Sequence, residues 1–260
     1  IQSGNDASKA IAEHMAGSEE GFAKLMNAEA QRLGMKQTHF VNATGLPDPQ
    51  HKASARDLAI LARAIIRESS DYYPIYSERE FKYNGNKQGN RNALLYTDPS
   101  VDGLKTGHTQ DAGYCLVTSS KRNGMRLITV ILNTNSMQAR ADQTRTLLGW
   151  GFANFEKATP IQPNTVVSTA KVSFGKADTV AATLGEPWTV TVPRGQQVQT
   201  SVEIKQGLEA PVAKGAVIGK VVASSNGKPV GEAPLVAQAE VERSGWLLRI
   251  WQHILRLFGK

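Results

Sequence analysis

Several features that point to particular protein classes are scarce or missing in this sequence. Cysteine occurs once, at Cys115, so the chain cannot form an internal disulfide. No apolar stretch is long enough to span a bilayer as a helix. The five histidines show no paired metal-binding spacing, and no Gly-x-Ser-x-Gly elbow occurs. We therefore expect no catalytic metal, no other cofactor and no Ser-His-Asp hydrolase.

Charge is the first feature that is present in excess. The chain carries 30 Lys and Arg against 23 Asp and Glu, a formal net charge of +7. Such an excess favours anionic partners, but by itself it does not choose among nucleic acid, lipid headgroups and acidic glycans. No basic stripe interleaved with aromatic residues is present, and this absence argues against nucleic acid.

The first 156 residues or so predict a mixture of helices and strands. Apolar residues recur at helical spacing over 54–69 and again over 18–33. Ser54 and Asp57 form a start similar to a capping box, and Gly34 predicts the end of the earlier helix. The intervening segment, 39–53, is rich in turn residues and predicts a long surface loop.

The segments "GYCLVTSS" and "RLITVILN" predict an antiparallel hairpin of two largely buried strands. A further helix is expected over 137–155, packed against that sheet. Helices on an antiparallel sheet indicate an α+β domain.

After Pro160 the sequence changes to short β-type segments separated by Gly, Pro and Asn, which indicates a small all-β sandwich or barrel. We predict an α+β domain over 1–157, an all-β domain over 158–243 and a terminal helix over 244–260.

The terminal segment "GWLLRIWQHILRLFGK" predicts an amphipathic helix. Its apolar residues, from Trp246 to Phe258, share a wide arc, with Arg249, Gln252, His253 and Arg256 on the other side. A helix of about 20 Å is too short to span a membrane but suits the headgroup plane of an anionic one. The alternative is a helix docked on its own domain or on a partner.

The segment "VDGLKTGHT", residues 101–109, contains the tripeptide Lys105-Thr106-Gly107. The lysine ammonium and the threonine hydroxyl at a strand edge can hold a carboxylate, and the glycine lets a substrate backbone lie close to the strand. The tripeptide alone is a weak signal. A second segment, "IQSGNDA", places Ser3 and Asn5 directly before residues with helical character, about a hundred positions upstream.

Together these segments resemble a low-molecular-mass penicillin-binding protein, a serine-type D-alanyl-D-alanine carboxypeptidase of the peptidase S11 or DD-peptidase family. The resemblance covers essentially the whole chain and includes "SGNDA", "DLAILARAII", "NRNALLY" and "VDGLKTGHT". It implies a β-lactamase/DD-peptidase-like α+β domain, then the all-β domain and the amphipathic helix.

In that family a nucleophilic Ser-x-x-Lys motif lies roughly sixty residues before Ser-x-Asn. Three Ser-x-x-Lys strings occur here, starting at Ser168, Ser173 and Ser225, but all follow Lys105 and lie in strand or turn sequence. A strand places the serine and the lysine on opposite faces, so we reject all three. The resemblance therefore implies truncation before the nucleophile motif, and we expect this chain alone to be inactive.

The resemblance implies acyl transfer through a serine ester, with removal of the terminal D-alanine from peptidoglycan stem pentapeptides. Ser3 is expected to relay a proton to the leaving amine, Asn5 to bind the substrate amide, and Lys105 to act with Thr106 on the terminal carboxylate. Gly107 admits the substrate backbone, and the backbone N–H of His108 is expected in the oxyanion hole. Arg91 and Arg140 resemble family arginines near the carboxylate.

The implied partners are stem peptides, β-lactam antibiotics and the inner-membrane surface, at the periplasmic face of a bacterial inner membrane. A class A β-lactamase needs a loop glutamate for deacylation, and the segment 44–54 contains none. The alternative from another class is a non-catalytic peptidoglycan-binding or scaffolding protein that keeps the carboxylate pocket.

Overall fold

A computed structural model describes residues 1–163 and 165–245. The described chain divides into two compact units, one formed by residues 1–153 and the other beginning at Asn154. The predicted amphipathic helix over 246–258 lies outside the described residues. Within them, no helix has both the length and the apolar character needed to cross a membrane. The division at 157 and 243 stays a prediction.

The helices of the first unit begin and end at residues with capping chemistry. Ser54 accepts a hydrogen bond from the Asp57 N–H at the start of α3, and Gly34 ends α2 in the left-handed conformation, both as predicted. The helices are α1 Asn5–Ala16, α2 Glu19–Leu33, α3 Ala55–Glu68, α4 Leu94–Thr97 and α5 Met137–Asn154, with a 3₁₀ turn at Tyr73–Ser77.

The strands of the first unit form two antiparallel sheets. Strands β1 Glu80–Tyr83 and β2 Asn86–Gly89 form a separate hairpin, and β3 Val101–Thr109, β4 Gly113–Arg122 and β5 Met125–Thr134 form a three-stranded sheet in that order. The predicted β4–β5 hairpin is confirmed, and its strands extend to a two-residue turn at Asn123 and Gly124. Both turn residues have positive φ, as in the turns that match the twist of paired strands.

The core of the first unit lies around the three-stranded sheet. Leu94, Leu116 and Leu148 are almost completely buried in one cluster, which joins α4, β4 and α5. A second cluster joins Ala62 of α3 to Leu104 of β3. These clusters fix β3, which is an edge strand: in the part of the chain that the structure describes, β4 is its one strand partner in the sheet.

The second unit is built from strands, as the sequence predicted. Its strands are β6 Phe155–Ala158, β7 Val166–Ser173, β8 Thr179–Leu184, β9 Val190–Pro193, β10 Gln199–Ile204, β11 Leu208–Glu209, β12 Val217–Ser225 and β13 Lys228–Ala237. They form a six-stranded sheet in the order β10-β12-β13-β8-β7-β11 and a β6-β9 pair. Small and aliphatic side chains fill its core, with Val221, Ala223 and Leu235 completely buried.

Candidate active site

One cavity of the first unit, with a volume of about 790 Å³, contains every site residue that the sequence predicted. These residues come from four separate parts of the chain. The predicted residues in its wall are Ser3, Asn5, Arg91, Lys105, Thr106, Gly107, His108 and Arg140.

Lys105 lies at the centre of this arrangement. Its Nζ donates a hydrogen bond to Ser3 Oγ at 2.5 Å and another to its neighbour's carbonyl, Thr106 O, at 2.8 Å. Lys105 and Thr106 lie on strand β3, whereas Ser3 lies just before α1. The hydrogen bond between Lys105 and Ser3 therefore joins residues that are 102 positions apart in sequence. The two segments that carried the family resemblance therefore meet in space.

The Ser3 end of this contact is held at the start of a helix. Ser3 has a φ of 59°, in the left-handed region that a serine seldom adopts, and Asn5 is the first residue of α1. Both side chains are exposed toward the cavity. A hydroxyl and an amide are thus available to a ligand beside the lysine.

Buried polar groups fix the position of β3 near Gly103. The Asn92 side chain, 1% exposed, donates to the Gly103 carbonyl at 3.2 Å and accepts from the Leu94 N–H at 3.2 Å. A side chain at Gly103 has no space, because a Cβ there lies 2.8 Å from the Tyr73 hydroxyl. These contacts fix the strand two residues before Lys105.

The Tyr73 hydroxyl belongs to a charged network around Asp102 of β3. It donates to Asp102 Oδ1 at 2.7 Å, and the Arg126 guanidinium donates to the same oxygen at 2.7 Å. Burial raises the pKa of Tyr73, so the phenol stays protonated and can act as this donor. The network braces the start of β3 and does not line the cavity.

Arg140 is a buried cation without an anionic partner among the described residues. It is 5% exposed, and its guanidinium donates only to backbone carbonyls, at 3.3 Å to Cys115 O and 3.3 Å to Arg91 O. The second contact ties α5 to the segment that carries Arg91 into the cavity. Carbonyl groups satisfy the donors but do not neutralise the charge.

The cavity as a whole is cationic. The side chains of Arg91, Lys105 and Arg140 line it, and none of the described residues in its wall is Asp or Glu. Burial lowers the pKa of Lys105 from its ordinary value, and the charges of Arg91 and Arg140 lower it further. Since unpaired buried cations are costly, this arrangement indicates a site for an anionic ligand.

His108 packs in the wall of the cavity. Its ring lies against Tyr114 with the centroids 3.9 Å apart, and the Arg140 guanidinium lies 5.8 Å from the Tyr114 ring centre. The contact places the His108 side chain in this wall, while the role of its backbone N–H in the oxyanion hole stays a prediction.

A loop segment over 43–46 also lines the cavity, and the sequence did not predict this. The loop between α2 and α3 is closed by a bridge between His39 and Lys52, and Asn27 fixes it through two hydrogen bonds to the Phe40 backbone, at 2.8 and 2.7 Å. Asn42 Oδ1 accepts from the Gly45 N–H at 2.7 Å and sets the final turn. The turn residues of the segment 39–53 predicted a loop, but they did not predict that this loop lies against the cavity.

A second, apolar cavity of about 590 Å³ adjoins the first and shares Ser3 and Lys105 with it. Aliphatic side chains of α3 and the sheet form most of its wall, among them Leu58, Leu61 and Leu104. In residues 1–163 and 165–245 no cluster of His, Cys, Asp and Glu side chains is placed to hold a metal ion.

The sequence model of D-alanyl-D-alanine carboxypeptidases matches residues 1–136. The chain belongs to this family. A second match, to the C-terminal domain of penicillin-binding protein 5, covers residues 155–243.

Individual relatives agree with this assignment. The chain is 41% identical to D-alanyl-D-alanine carboxypeptidase DacC of Escherichia coli, over 99% of this chain and 66% of that protein. Penicillin-binding protein 5 of Haemophilus influenzae superposes with a TM-score of 0.76 at 41% identity, covering 93% of this chain and 72% of that one. Penicillin-binding protein D2 of Listeria monocytogenes, solved with cefotaxime bound, superposes with a TM-score of 0.54 at 32% identity, covering 58% and 62%.

The chain spans just under two thirds of the length of the curated carboxypeptidases it matches, 66% for DacC and 65% for DacA of Escherichia coli. The α+β architecture with a β domain, predicted from the sequence, is confirmed by both family matches and by the superposed structures.

Proposed function

We propose that this chain is the larger part of a serine-type D-Ala-D-Ala carboxypeptidase that removes the terminal D-alanine from peptidoglycan stem pentapeptides. The observation that carries the proposal is the hydrogen bond between Lys105 Nζ and Ser3 Oγ in a cavity whose described wall residues include cations and no carboxylate. The chemistry of this cavity matches a substrate that ends in a free carboxylate.

The terminal carboxylate is the group that the cations recognise. Lys105 and the Thr106 hydroxyl bind it, and Arg91 and Arg140 add positive charge where the described part of the wall holds no acidic side chain. Because β3 is the edge strand of its sheet, the backbone of an extended stem peptide can pair with it. Gly107 is exposed and presents no Cβ to that backbone.

The reaction is acyl transfer to a serine hydroxyl. The serine oxygen forms a bond to the carbonyl carbon between the two D-alanines, the C–N bond breaks, and the D-alanine amine leaves with a proton relayed by Ser3. Asn5 holds the substrate amide, and the His108 N–H stabilises the oxyanion. Water then attacks the ester, releases the shortened peptide and regenerates the serine.

The nucleophile in this proposal comes from residues outside these 260. None of the Ser-x-x-Lys strings at Ser168, Ser173 and Ser225 lies near the cavity's residues in sequence, and all three belong to the β-rich second unit. We expect the nucleophile segment to cover the apolar cavity beside Ser3 and Lys105, because its aliphatic wall favours a packed helix. Alone, the chain should not form an acyl-enzyme.

β-Lactams are the second class of ligand that we propose. The Listeria relative was solved with cefotaxime bound, and a β-lactam carries a carboxylate that suits the same cations. Among its described wall residues, the cavity has no glutamate to activate a deacylating water, so the acyl-enzyme should be long-lived.

Location at the periplasmic face of the inner membrane is also a proposal. It depends on the segment 246–258, whose apolar arc with two tryptophans and opposing arginines suits the headgroup plane.

The test is intact-mass spectrometry of the protein isolated from its natural source, with and without benzylpenicillin. We expect a mass above 28.1 kDa and one penicillin adduct on a serine of a Ser-x-x-Lys motif. The matched control is the 260-residue chain, which should form no adduct. Absence of an adduct on the isolated protein would contradict the proposal and favour a non-catalytic peptidoglycan-binding protein.

A further inference from the structure

The β1–β2 hairpin is an exposed element whose side chains have no part in the site described above. Its strands are joined by Asn84 and Gly85, both with positive φ, and all eight strand residues are exposed. An element that buries none of its residues contributes little to the core, so its sequence is free to serve a surface role.

The register of the hairpin separates its side chains into two chemically different faces. Phe81 pairs with Gln88 and Tyr83 with Asn86, so two aromatic rings and two amides share one face. The other face carries charges, with Lys82 opposite Lys87 and an ion pair of 2.8 Å between Lys87 and Glu80. We call the first of these the aromatic–amide face.

The groups of the aromatic–amide face are available to a ligand. Phe81 is 44% and Tyr83 71% exposed, and their rings are parallel within 4° with the centroids 6.3 Å apart. Within the part of the chain that the structure describes, no hydrogen bond uses the side chain of Asn86 or Gln88. Large rings left in water are unfavourable unless something covers them.

This combination fits a neutral sugar chain. The electron-rich faces of aromatic rings attract the weakly positive C–H groups of a sugar ring, and side-chain amides bind its hydroxyl and acetamido groups. A membrane surface fits less well, because the lysines that could reach lipid phosphates lie on the opposite face.

The hairpin is continuous with the cavity. Gln2, which lines the cavity, donates through its side-chain amide to the Gly89 carbonyl at the end of β2. Asn90 then ties the base of the hairpin through a 2.9 Å hydrogen bond to the Glu78 carbonyl, and the next residue is Arg91 of the cavity wall. A ligand that fills the cavity can therefore extend onto the hairpin.

We propose that the aromatic–amide face is a subsite for the glycan strand of peptidoglycan, engaged while the attached stem peptide enters the cavity. The inference rests on the proposed function for its substrate, but the sugar contacts need none of the acyl-transfer groups. It assigns to Phe81 and Tyr83 a role in binding polymeric wall rather than free precursor.

The experiment measures binding of the 260-residue chain to glycan strands from which an amidase has removed all stem peptides. The double variant Phe81→Ala/Tyr83→Ala should weaken this binding about tenfold or more, as expected for the loss of two ring contacts. Phe81→Leu/Tyr83→Leu should weaken it similarly, since leucine keeps the apolar character of the hairpin but has no ring face.

Two controls separate the sugar contact from general surface effects. Tyr72→Ala removes a tyrosine of equal exposure, 72%, outside the hairpin, and Lys82→Ser changes the charged face. Both should bind the glycan strands like the unaltered chain. The inference is wrong if the leucine variant binds normally, or if the aromatic variants lose binding to anionic phospholipid vesicles but not to glycan.

The glycan-binding and penicillin-adduct experiments distinguish a failure of this inference from a failure of the proposed function. Lys105→Gln should leave binding to peptide-free glycan unchanged, which supports a separate subsite. An unaltered chain that does not bind glycan overturns the inference even if the isolated protein forms its penicillin adduct. Glycan binding without any adduct supports the subsite and rejects the acyl-transfer proposal.

Discussion

Lysines in the two units have opposite electrostatic surroundings. Lys105 of the first unit is partly buried among arginines, and its pKa is lowered, by burial first and then by Arg91 and Arg140. Lys220 of the second unit is exposed between Glu232 and Glu203, each 3.4 Å away, and these carboxylates raise its pKa. The protein itself neutralises Lys220, whereas Lys105 has no carboxylate partner among the described residues that line its cavity.

A ligand is expected at the lysine whose charge has no counter-ion among the residues that the structure describes in its cavity wall. Exposed ion pairs such as those of Lys220 contribute little to stability. Because its charge is already balanced by carboxylates, Lys220 does not need a bound anion. An unpaired, partly buried cation is unfavourable in the empty protein, and a bound anion relieves it. The same contrast separates Arg140, whose guanidinium donates to two backbone carbonyls, from Arg145, which pairs with Asp142 at 2.7 Å.

Removing the charge of Lys105 should have a much larger consequence than removing that of Lys220. In the protein that carries the Ser-x-x-Lys segment, Lys105→Gln should slow acylation by benzylpenicillin about 100- to 1,000-fold, the range for loss of one charge-stabilising group in an acyl-transfer site. Stopped-flow measurement of acyl-enzyme formation checks this. Lys220→Gln is the matched control and should acylate at the unaltered rate; equal effects of the two substitutions would mean that the contrast has no functional meaning.

A smaller effect concerns stability. Lys105→Met removes an unpaired cation from a partly buried position, so we expect it to stabilise the first unit by about 0.5–2 kcal/mol at the expense of function. Amide hydrogen exchange of β3 and β4 measures the free energy of opening in that unit alone.

The control for stability is again in the second unit. Lys220→Met removes two exposed ion pairs and should leave the opening free energy of β12 and β13 almost unchanged. If Lys105→Met destabilises β3 instead, the hydrogen bond to Ser3 outweighs the cost of the buried charge.

The smallest effect is a difference in titration. We expect the Cε carbon signals of Lys105 to titrate below the ordinary pKa of 10.5 and those of Lys220 and Lys176 above it. NMR of selectively labelled lysine measures all three in one sample. A Lys105 that titrates with the exposed lysines would show that its cavity is fully solvated.

The two shifts have opposite consequences for stability. Because the folded pKa of Lys105 lies below its unfolded value, the unfolded state binds more protons between the two values, and stability of the first unit rises with pH across that window. For Lys220 the folded pKa lies above the unfolded value, so its contribution is complete below the unfolded pKa and is lost as pH rises through the folded one.

Most of the first unit's helices and its β4–β5 hairpin were predictable from the sequence because their signals are local. Ser54 caps α3 and Gly34 ends α2 as expected, since caps depend on a few neighbouring residues. The β1–β2 hairpin was missed, although Asn84-Gly85 between alternating residues is a typical hairpin turn. Its strands are wholly exposed, so they lack the apolar pattern that marks a buried strand.

The eight candidate site residues were predictable through family resemblance, and the structure places all of them around one cavity, while their individual roles stay predictions. Residues 43–46 were not, because turn-rich sequence does not say where a loop packs. That position depends on Asn27 of α2 and on the bridge between His39 and Lys52, contacts between residues distant in sequence.

The local sequence was therefore enough to predict which segments form helices or strands, where the β-rich second unit begins, and which motif identifies the family. Helix and strand propensity, capping and motif spacing all act over a few residues, so they can be read from the sequence. The tertiary structure alone decides that Lys105 contacts Ser3, that Arg140 is buried with no carboxylate partner among the described residues, and that Gln2 of the cavity wall binds the end of the β1–β2 hairpin. Charge compensation and burial depend on which distant side chains come together, and only packing sets that.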